Sequence, residues 1–123
     1  MEGITQWLKK LLKGAQIYNW RNTYSVSVKT MEDAWKKGNS GIAPKKLHSN
    51  ITQEQRRLYR SWKSSNPNKT MGFEDMATIE IDALVSAGIP ESYATGWVIT
   101  SLDELKNLGI KKIIYIPWNG VNP

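Results

Sequence analysis

Three stretches rich in glycine, proline, asparagine and serine divide the chain, and their spacing limits what it can fold into more than any other feature. They occupy residues 38–44, 64–69 and 88–90. Glycine and proline end regular elements, and asparagine and serine favour turns through local hydrogen bonds. The two segments between them, residues 45–63 and 70–87, have lengths typical of single helices. We therefore expect a fold of short elements joined by turns.

Before the first of these stretches, the sequence predicts two helices with a short strand between them. Apolar residues recur at helical spacing over residues 4 to about 19, which indicates an amphipathic helix. Alternating apolar and polar residues over 24–28 predict a strand. Thr30 can then cap a brief helix that continues through Lys37, because its hydroxyl can accept a free backbone N–H.

Residues 45–63 predict a helix with one buried edge and one cationic face. Asn50 or Thr52 can cap this helix, which would leave the residues before it in a loop. Leu58 and Trp62 lie one turn apart and would face the core together. The cationic side chains occupy other positions at helical spacing: Arg56, Arg57, Arg60 and Lys63.

After residue 70 the pattern predicts further helices and a final strand. A helical pattern from Phe73 stops at Gly88, a good left-handed C-terminal cap, and Pro90 restarts the chain into another helix. Residues 94–109 fit either one helix or a strand followed by a short helix. The β-branched run over 110–116 predicts a strand.

Together these patterns predict a helix-dominated α+β fold, with about four to five helices and a small β-sheet that includes a C-terminal strand. A length of 123 residues fits a single domain over residues 1–123. The longest apolar run near the end, residues 113–116, is far shorter than the roughly 20 residues of a membrane-spanning helix. The N-terminus has no signal-peptide pattern, so we expect any export to depend on a segment outside this domain.

Charge is distributed unevenly along the chain. Residues 1–69 hold fourteen Lys and Arg against four acidic residues, and residues 70–123 hold three against seven. Clustered cations release counterions from a phosphate backbone, so a basic half next to an acidic half is typical of a protein that binds a polyanion. A soluble basic domain without such a partner is the alternative.

The histidine and the cations near it suggest chemistry on RNA. RNA is cleaved without a metal when a base deprotonates the 2′-hydroxyl, an acid protonates the leaving oxygen, and cations stabilise the phosphorane. His48 is the single histidine and is the first candidate for proton transfer. The candidate catalytic residues are His48, Arg56, Arg60, Tyr59 and Glu54. The candidate nucleic-acid-binding residues are Lys45, Lys46, Arg57 and Lys63. A bystander histidine beside a solvated basic helix is the plainer interpretation.

Metal chemistry has weaker support. The chain has no cysteine and one histidine, which excludes thiolate zinc sites and multi-histidine metal sites. Four carboxylates in the acidic half could hold Mg²⁺, but their spacing matches no metal-binding loop and the helix dipole explains the early ones. These are Glu74, Asp75, Glu80 and Asp82. Glu104 and Lys106 match a nuclease triplet that is common by chance. We expect no metal and no cofactor.

The last fifty residues carry a resemblance to a known group of proteins. The acidic helix, the turn GIP, the sequence GWVI and the ending IPWNGVNP together resemble the extreme C-termini of bacterial contact-dependent growth inhibition and Rhs-type polymorphic toxins. The resemblance implies a small toxin domain that is secreted as the C-terminal part of a larger delivery protein and acts in the cytoplasm of the target cell. It implies a dedicated immunity protein, and in some members a host protein of the target cell assists.

Charge and resemblance together predict an antibacterial toxin domain that acts as a ribonuclease, with transfer RNA as the substrate. We expect a monomer that an acidic immunity protein covers and that does not insert stably into membranes. The alternatives are a DNase or another toxin activity, a nucleic-acid-binding module without catalysis, and a membrane-active toxin. The last depends on the amphipathic face of the first predicted helix, which core packing explains more simply.

Overall fold

The computed structural model describes residues 17–20 and 26–115. Most of these residues lie in four helices, which confirms a helix-dominated fold. The elements in chain order are β1 Ile17–Trp20, α1 Val28–Gly38, α2 Leu47–Ser65, α3 Phe73–Ser86, α4 Glu91–Asn107 and β2 Lys112–Tyr115.

β1 pairs with β2 in parallel, and Ile17 lies opposite Lys112 at the start of the pair. Two parallel strands need a long crossover between them, and here the four helices lie in that crossover. β1 also corrects the predicted first helix, because its last residues, 17–19, belong to a strand. The rest of that helix, residues 4–16, lies outside the described residues. A sheet that extends beyond these four residue pairs stays a prediction.

The start of α1 differs from the prediction. Ser27 is the N-cap, and its Oγ accepts a hydrogen bond of 3.1 Å from the backbone N–H of Thr30. Thr30 therefore lies inside the first turn, and the prediction that it caps the helix is wrong. The predicted strand over 24–28 is also wrong where the structure describes it, since Val28 is helical. The N-cap hydrogen bond of Ser27 starts the helix three residues before Thr30. It determines the local structure more strongly than the short alternation of apolar and polar residues over 24–28.

α2 also begins earlier than predicted, at Leu47. The backbone N–H of Asn50 donates to the carbonyl of Lys46 at 2.8 Å, and the Thr52 hydroxyl donates to the carbonyl of His48 at 3.1 Å. Both predicted caps are thus inside the helix, and His48 lies in its first turn instead of a loop. Leu47 is 2% exposed, so its burial in the core draws the helix start forward.

The C-terminal ends of α3 and α4 follow the sequence closely. After α3, Gly88 has a φ of 105°, and the N–H of Ile89 donates to the carbonyl of Leu84 at 3.0 Å. This is the glycine-terminated helix end that the sequence predicts. α4 runs without interruption to Asn107, so the alternatives for residues 94–109 resolve in favour of one helix.

The core lies where α3 packs against both α2 and α4. Its apolar members come from all four helices and include Met31, Leu47, Ile51, Met76, Leu84, Val98 and Leu105. Leu58 and Trp62 are half-buried and pack against this cluster. α2 therefore has a buried side, as predicted. Other residues of the same helix are exposed to solvent.

A polar pair links α2 to α3 inside this core. The Gln55 amide donates to the Glu80 carboxylate, from Nε2 to Oε2, at 2.6 Å, and both side chains have 0% exposure. A buried carboxylate needs such hydrogen bonds, because desolvation without them costs several kcal/mol. The pair therefore fixes how the two helices align.

Among the helices that the structure describes, none has the length and apolar content that crossing a membrane requires.

Candidate nucleic-acid interface

The candidate site residues lie along one side of α2. His48, Thr52, Arg56, Tyr59 and Lys63 recur every three or four positions, which aligns them along the helix axis. With a rise of about 1.5 Å per residue, the line from the first to the last is about 22 Å long. Tyr59 also packs against the core, so this line runs along the border between the buried and the exposed sides of α2.

The N-terminal part of this line is an open groove of about 360 Å³. His48 and Gln53 are exposed, and Arg56 is half-buried. The described residues that line it all belong to α2: His48, Ser49, Thr52, Gln53 and Arg56. The structure thus brings the predicted proton-transfer residue and one predicted cation to the same groove. We call it the His48 groove.

The side chain of Arg56 is partly buried. Its Nε is buried and has no hydrogen-bond partner among the residues that the structure describes. Within those residues, Arg56 also makes no ion pair shorter than 4.0 Å. Its charge is therefore not offset by a neighbouring carboxylate in the described part of the chain, and it faces a groove that a phosphate could enter.

Glu54 and Arg57 neutralise each other away from this groove. The guanidinium of Arg57 contacts Glu54 Oε2 at 2.6 Å through Nη2 and at 2.8 Å through Nε. Six positions separate Glu54 from His48, which puts the two side chains about a third of a turn apart around the helix. The structure does not bring Glu54 to His48, although both are predicted catalytic residues.

Tyr59 and Arg60 are also distant from His48. Tyr59 follows His48 by eleven positions, which corresponds to about 16 Å along α2. Arg60 is exposed one residue further on. Both lie beyond the His48 groove, so an acid–base pair of His48 with Tyr59 does not form in this arrangement. Lys45 and Lys46, exposed in the turn before α2, lie at the His48 end.

A second groove, of about 240 Å³, lies at the C-terminal half of α2. We call it the aromatic groove, because two aromatic side chains of α2 line it together with three lysines. The lining residues come from α2, from the connection before α3 and from β2: Tyr59, Trp62, Lys63, Lys69, Thr70, Met71, Lys112 and Ile114. Lys69 and Lys112 were not among the predicted site residues. Their contribution depends on the packing of β2 near α2, for which the sequence holds no local signal.

The carboxylates that could have held a metal do not gather. Glu80 is in the core with Gln55, and the Asp75 carboxylate accepts the backbone N–H of Gly72 at 3.1 Å, as a helix-capping residue. Lys106 places its ammonium 5.4 Å from the centre of the Phe73 ring. In the described part of the chain, no group of three acidic or histidine side chains could hold a metal ion.

Comparisons with known proteins assign neither a family nor a function to this chain. No protein-family model, no curated protein and no solved structure matches this chain. The function proposed below therefore depends on the geometry of α2, on the charge distribution and on the resemblance of the last fifty residues.

Proposed function

We propose that this chain is an antibacterial toxin domain that acts as a metal-independent ribonuclease, with transfer RNA as its substrate. The observation that carries the proposal is that exposed His48 shares a groove with Arg56 on the cationic side of α2. The uneven charge of the two halves supports a polyanionic substrate. The resemblance to polymorphic toxins supports delivery as the C-terminal part of a larger protein into the cytoplasm of a target cell. The fold proposed for the whole chain is α+β, with a small sheet built around β1 and β2.

The chemistry proposed for the His48 groove is an internal transfer of the phosphate. His48 takes the proton of a ribose 2′-hydroxyl, and the 2′-oxygen forms a bond to phosphorus while the bond to the 5′-oxygen breaks. Arg56 stabilises the negative charge that builds up on the phosphorane oxygens. A water molecule in this open groove gives a proton to the leaving 5′-oxygen, and the hydroxide that remains takes the proton held by His48, which restores the neutral imidazole. The products are a 2′,3′-cyclic phosphate and a free 5′-hydroxyl.

The remaining cations bind the substrate. Lys63 continues the line of α2 beyond the His48 groove, Arg60 is exposed beside this line, and Lys45 and Lys46 precede the groove. Contacts of this kind attract and orient an RNA chain without reading its sequence. A substrate that follows α2 would present several of its phosphates to the helix and one of them to His48.

The fate of RNA in cells that express the domain tests this proposal. We expect growth to stop on induction, and total RNA on a denaturing gel to contain fragments of transfer RNA while the chromosome stays intact. An inactive His48→Ala variant expressed to the same level is the control. Intact RNA beside a fragmented chromosome would contradict the proposal and point to a DNase.

A nucleic-acid-binding module without catalysis is the second candidate, and one observation favours it. Neither Glu54 nor Tyr59 lines the His48 groove, and within the described part of the chain no carboxylate, tyrosine or second histidine lines it. A module of this kind would shift RNA on a native gel and leave it intact after prolonged incubation. Release of dye from anionic vesicles would point instead to a membrane-active toxin.

The proposed partner is an acidic immunity protein, encoded just downstream, that binds the monomeric domain. A cytoplasmic ribonuclease must be silenced in the cell that makes it, and complementary charge speeds association and blocks the substrate. We place this protein over residues 56–63 of α2. In the target cell a host protein could assist the toxin, as the resemblance implies.

A further inference from the structure

Among the described residues that line the aromatic groove are three cations and two aromatic rings, and none of these residues is acidic. Lys63 comes from α2, Lys69 from the connection before α3 and Lys112 from β2. Lysines from three separate segments have converged on one groove of about 240 Å³. This convergence of like charges is unfavourable unless an anion or solvent offsets it, which directs attention to an anionic ligand.

The two aromatic side chains form a fixed platform inside this groove. Tyr59 and Trp62 are half-buried and pack against the hydrophobic core on one side, while they line the groove on the other. Side chains that are anchored in this way lose little conformational entropy when a flat ligand stacks on them. Aromatic rings beside cations are what proteins use to hold unstacked bases and their phosphates.

The size of the groove favours a local contact to a longer chain. Its volume of about 240 Å³ is below the roughly 300–1,000 Å³ of typical small-molecule pockets. Tyr59, at one end of this groove, lies about 16 Å from His48 along α2, on the same side of the helix. A polymer of a few nucleotides that contacts one groove can therefore reach the other.

We propose that the aromatic groove holds an unpaired segment of RNA, with a base against Tyr59 and Trp62 and with phosphates on Lys63, Lys69 and Lys112. Bases within a duplex are stacked on each other and cannot enter such a groove. The domain would therefore select loops or ends of a folded RNA. The inference deepens the proposed function, and its choice of RNA over DNA rests on that function.

Binding of a labelled RNA strand that cannot be cleaved tests this inference. The probe is an unstructured strand of about 12 nucleotides, a length within the range that single-strand-binding sites cover. Each ribose carries a 2′-O-methyl group, which removes the nucleophile for cleavage. The same strand annealed to its complement and a DNA strand of the same sequence are the comparison probes. Fluorescence anisotropy over a salt series gives the affinity and its salt dependence.

We expect the RNA strand to bind more tightly than its duplex and than the DNA strand. Lys69→Ala and Lys112→Ala should each weaken binding and reduce the salt slope by about 0.7. Lys111→Ala is the matched control, since Lys111 is exposed next to Lys112 and does not line the groove. Trp62→Leu should lower the affinity by about 5-fold to 150-fold, the usual loss of one stacked base. Trp62→Phe should retain most of it, because it keeps a ring.

Three results would overturn the inference. Duplex binding as tight as strand binding would exclude stacking in the groove, and lysine variants that behave like Lys111→Ala would place the RNA elsewhere. Tighter binding of the DNA strand would overturn the assignment to RNA. The proposed function can fail independently of this inference. Selective binding of the unpaired strand without cleavage of natural RNA would support the role of the aromatic groove and exclude a ribonuclease. Cleavage of RNA together with unchanged binding by the groove variants would support a ribonuclease and exclude the role of the aromatic groove.

Discussion

At the scale of single residues, His48 offers the cleanest separation of function from stability. It is exposed in the first turn of α2, and surface substitutions of this kind usually change the free energy of unfolding by less than about 0.5 kcal/mol. Loss of a general acid or base typically costs about 10² to 10⁴ in rate. We expect His48→Ala to abolish growth inhibition in expressing cells without changing the thermal unfolding midpoint. A His48→Ala protein as toxic as its parent would make His48 a bystander.

The three arginines of α2 should differ in their effect on RNA binding. Arg56 and Arg60 have no carboxylate partner within the described residues, whereas Arg57 is paired with Glu54. We expect Arg56→Ala and Arg60→Ala each to weaken binding of a non-cleavable RNA and to flatten its salt dependence, because each removes a phosphate contact. Arg57→Ala, which removes the same charge, should have the smaller effect. Equal losses of RNA affinity for all three variants would indicate that only the overall positive charge attracts RNA, without defined contacts to phosphates.

At the scale of elements, the alignment of α2 with α3 depends on the Gln55–Glu80 pair. Gln55→Leu should destabilise the domain by about 1–3 kcal/mol, because the buried Glu80 carboxylate loses a donor. Gln53→Leu, at an exposed position on the same helix, is the control and should cost less than about 0.5 kcal/mol. Urea unfolding measures both. A double-mutant cycle with Glu80→Leu should give a coupling above about 0.5 kcal/mol, and additive effects would contradict the link.

Two glycines in neighbouring elements should respond in opposite directions to alanine. Gly88 has a φ of 105°, and a Cβ there would lie 2.5 Å from Nε1 of Trp35. We expect Gly88→Ala to cost more than about 1 kcal/mol, from the left-handed backbone and the close approach. Gly96 lies within α4 with open space around it, so Gly96→Ala should stabilise the domain by about 0.5–1 kcal/mol. Thermal unfolding of both variants checks this, and equal shifts would contradict it.

The elements also differ in how far the sequence alone could predict them. The end of α3 was predictable because Gly88 ends the helix by adopting a left-handed backbone conformation, which depends only on the local sequence. The start of α2 was not, since it depends on the burial of Leu47 in a core that other helices complete. The same limit applies to the candidate site. The cations on one helix follow from spacing, but the meeting of Lys63 with Lys69 and Lys112 requires contacts between distant segments.

For the whole molecule, we expect the basic half to govern which partners approach. The chain carries a formal net charge of +6, with its cations concentrated before residue 70. We expect an acidic immunity protein to associate faster at low salt, and Arg60→Glu to slow association more than it speeds dissociation. Stopped-flow kinetics would measure both rates. A complex in which residues 56–63 stay accessible to RNA would contradict this placement.

His48 is proposed to cleave RNA without a metal, and incubation of the purified domain with transfer RNA in excess chelator measures that cleavage. We expect fragments that end in a 2′,3′-cyclic phosphate from the parent protein and from Gln53→Ala, but not from His48→Ala. Gln53→Ala serves as the control because Gln53 lines the same groove and has no role in proton transfer. Cleavage that requires Mg²⁺ would show a metal-dependent nuclease, and cleavage that persists in His48→Ala would show that His48 is not the catalytic base.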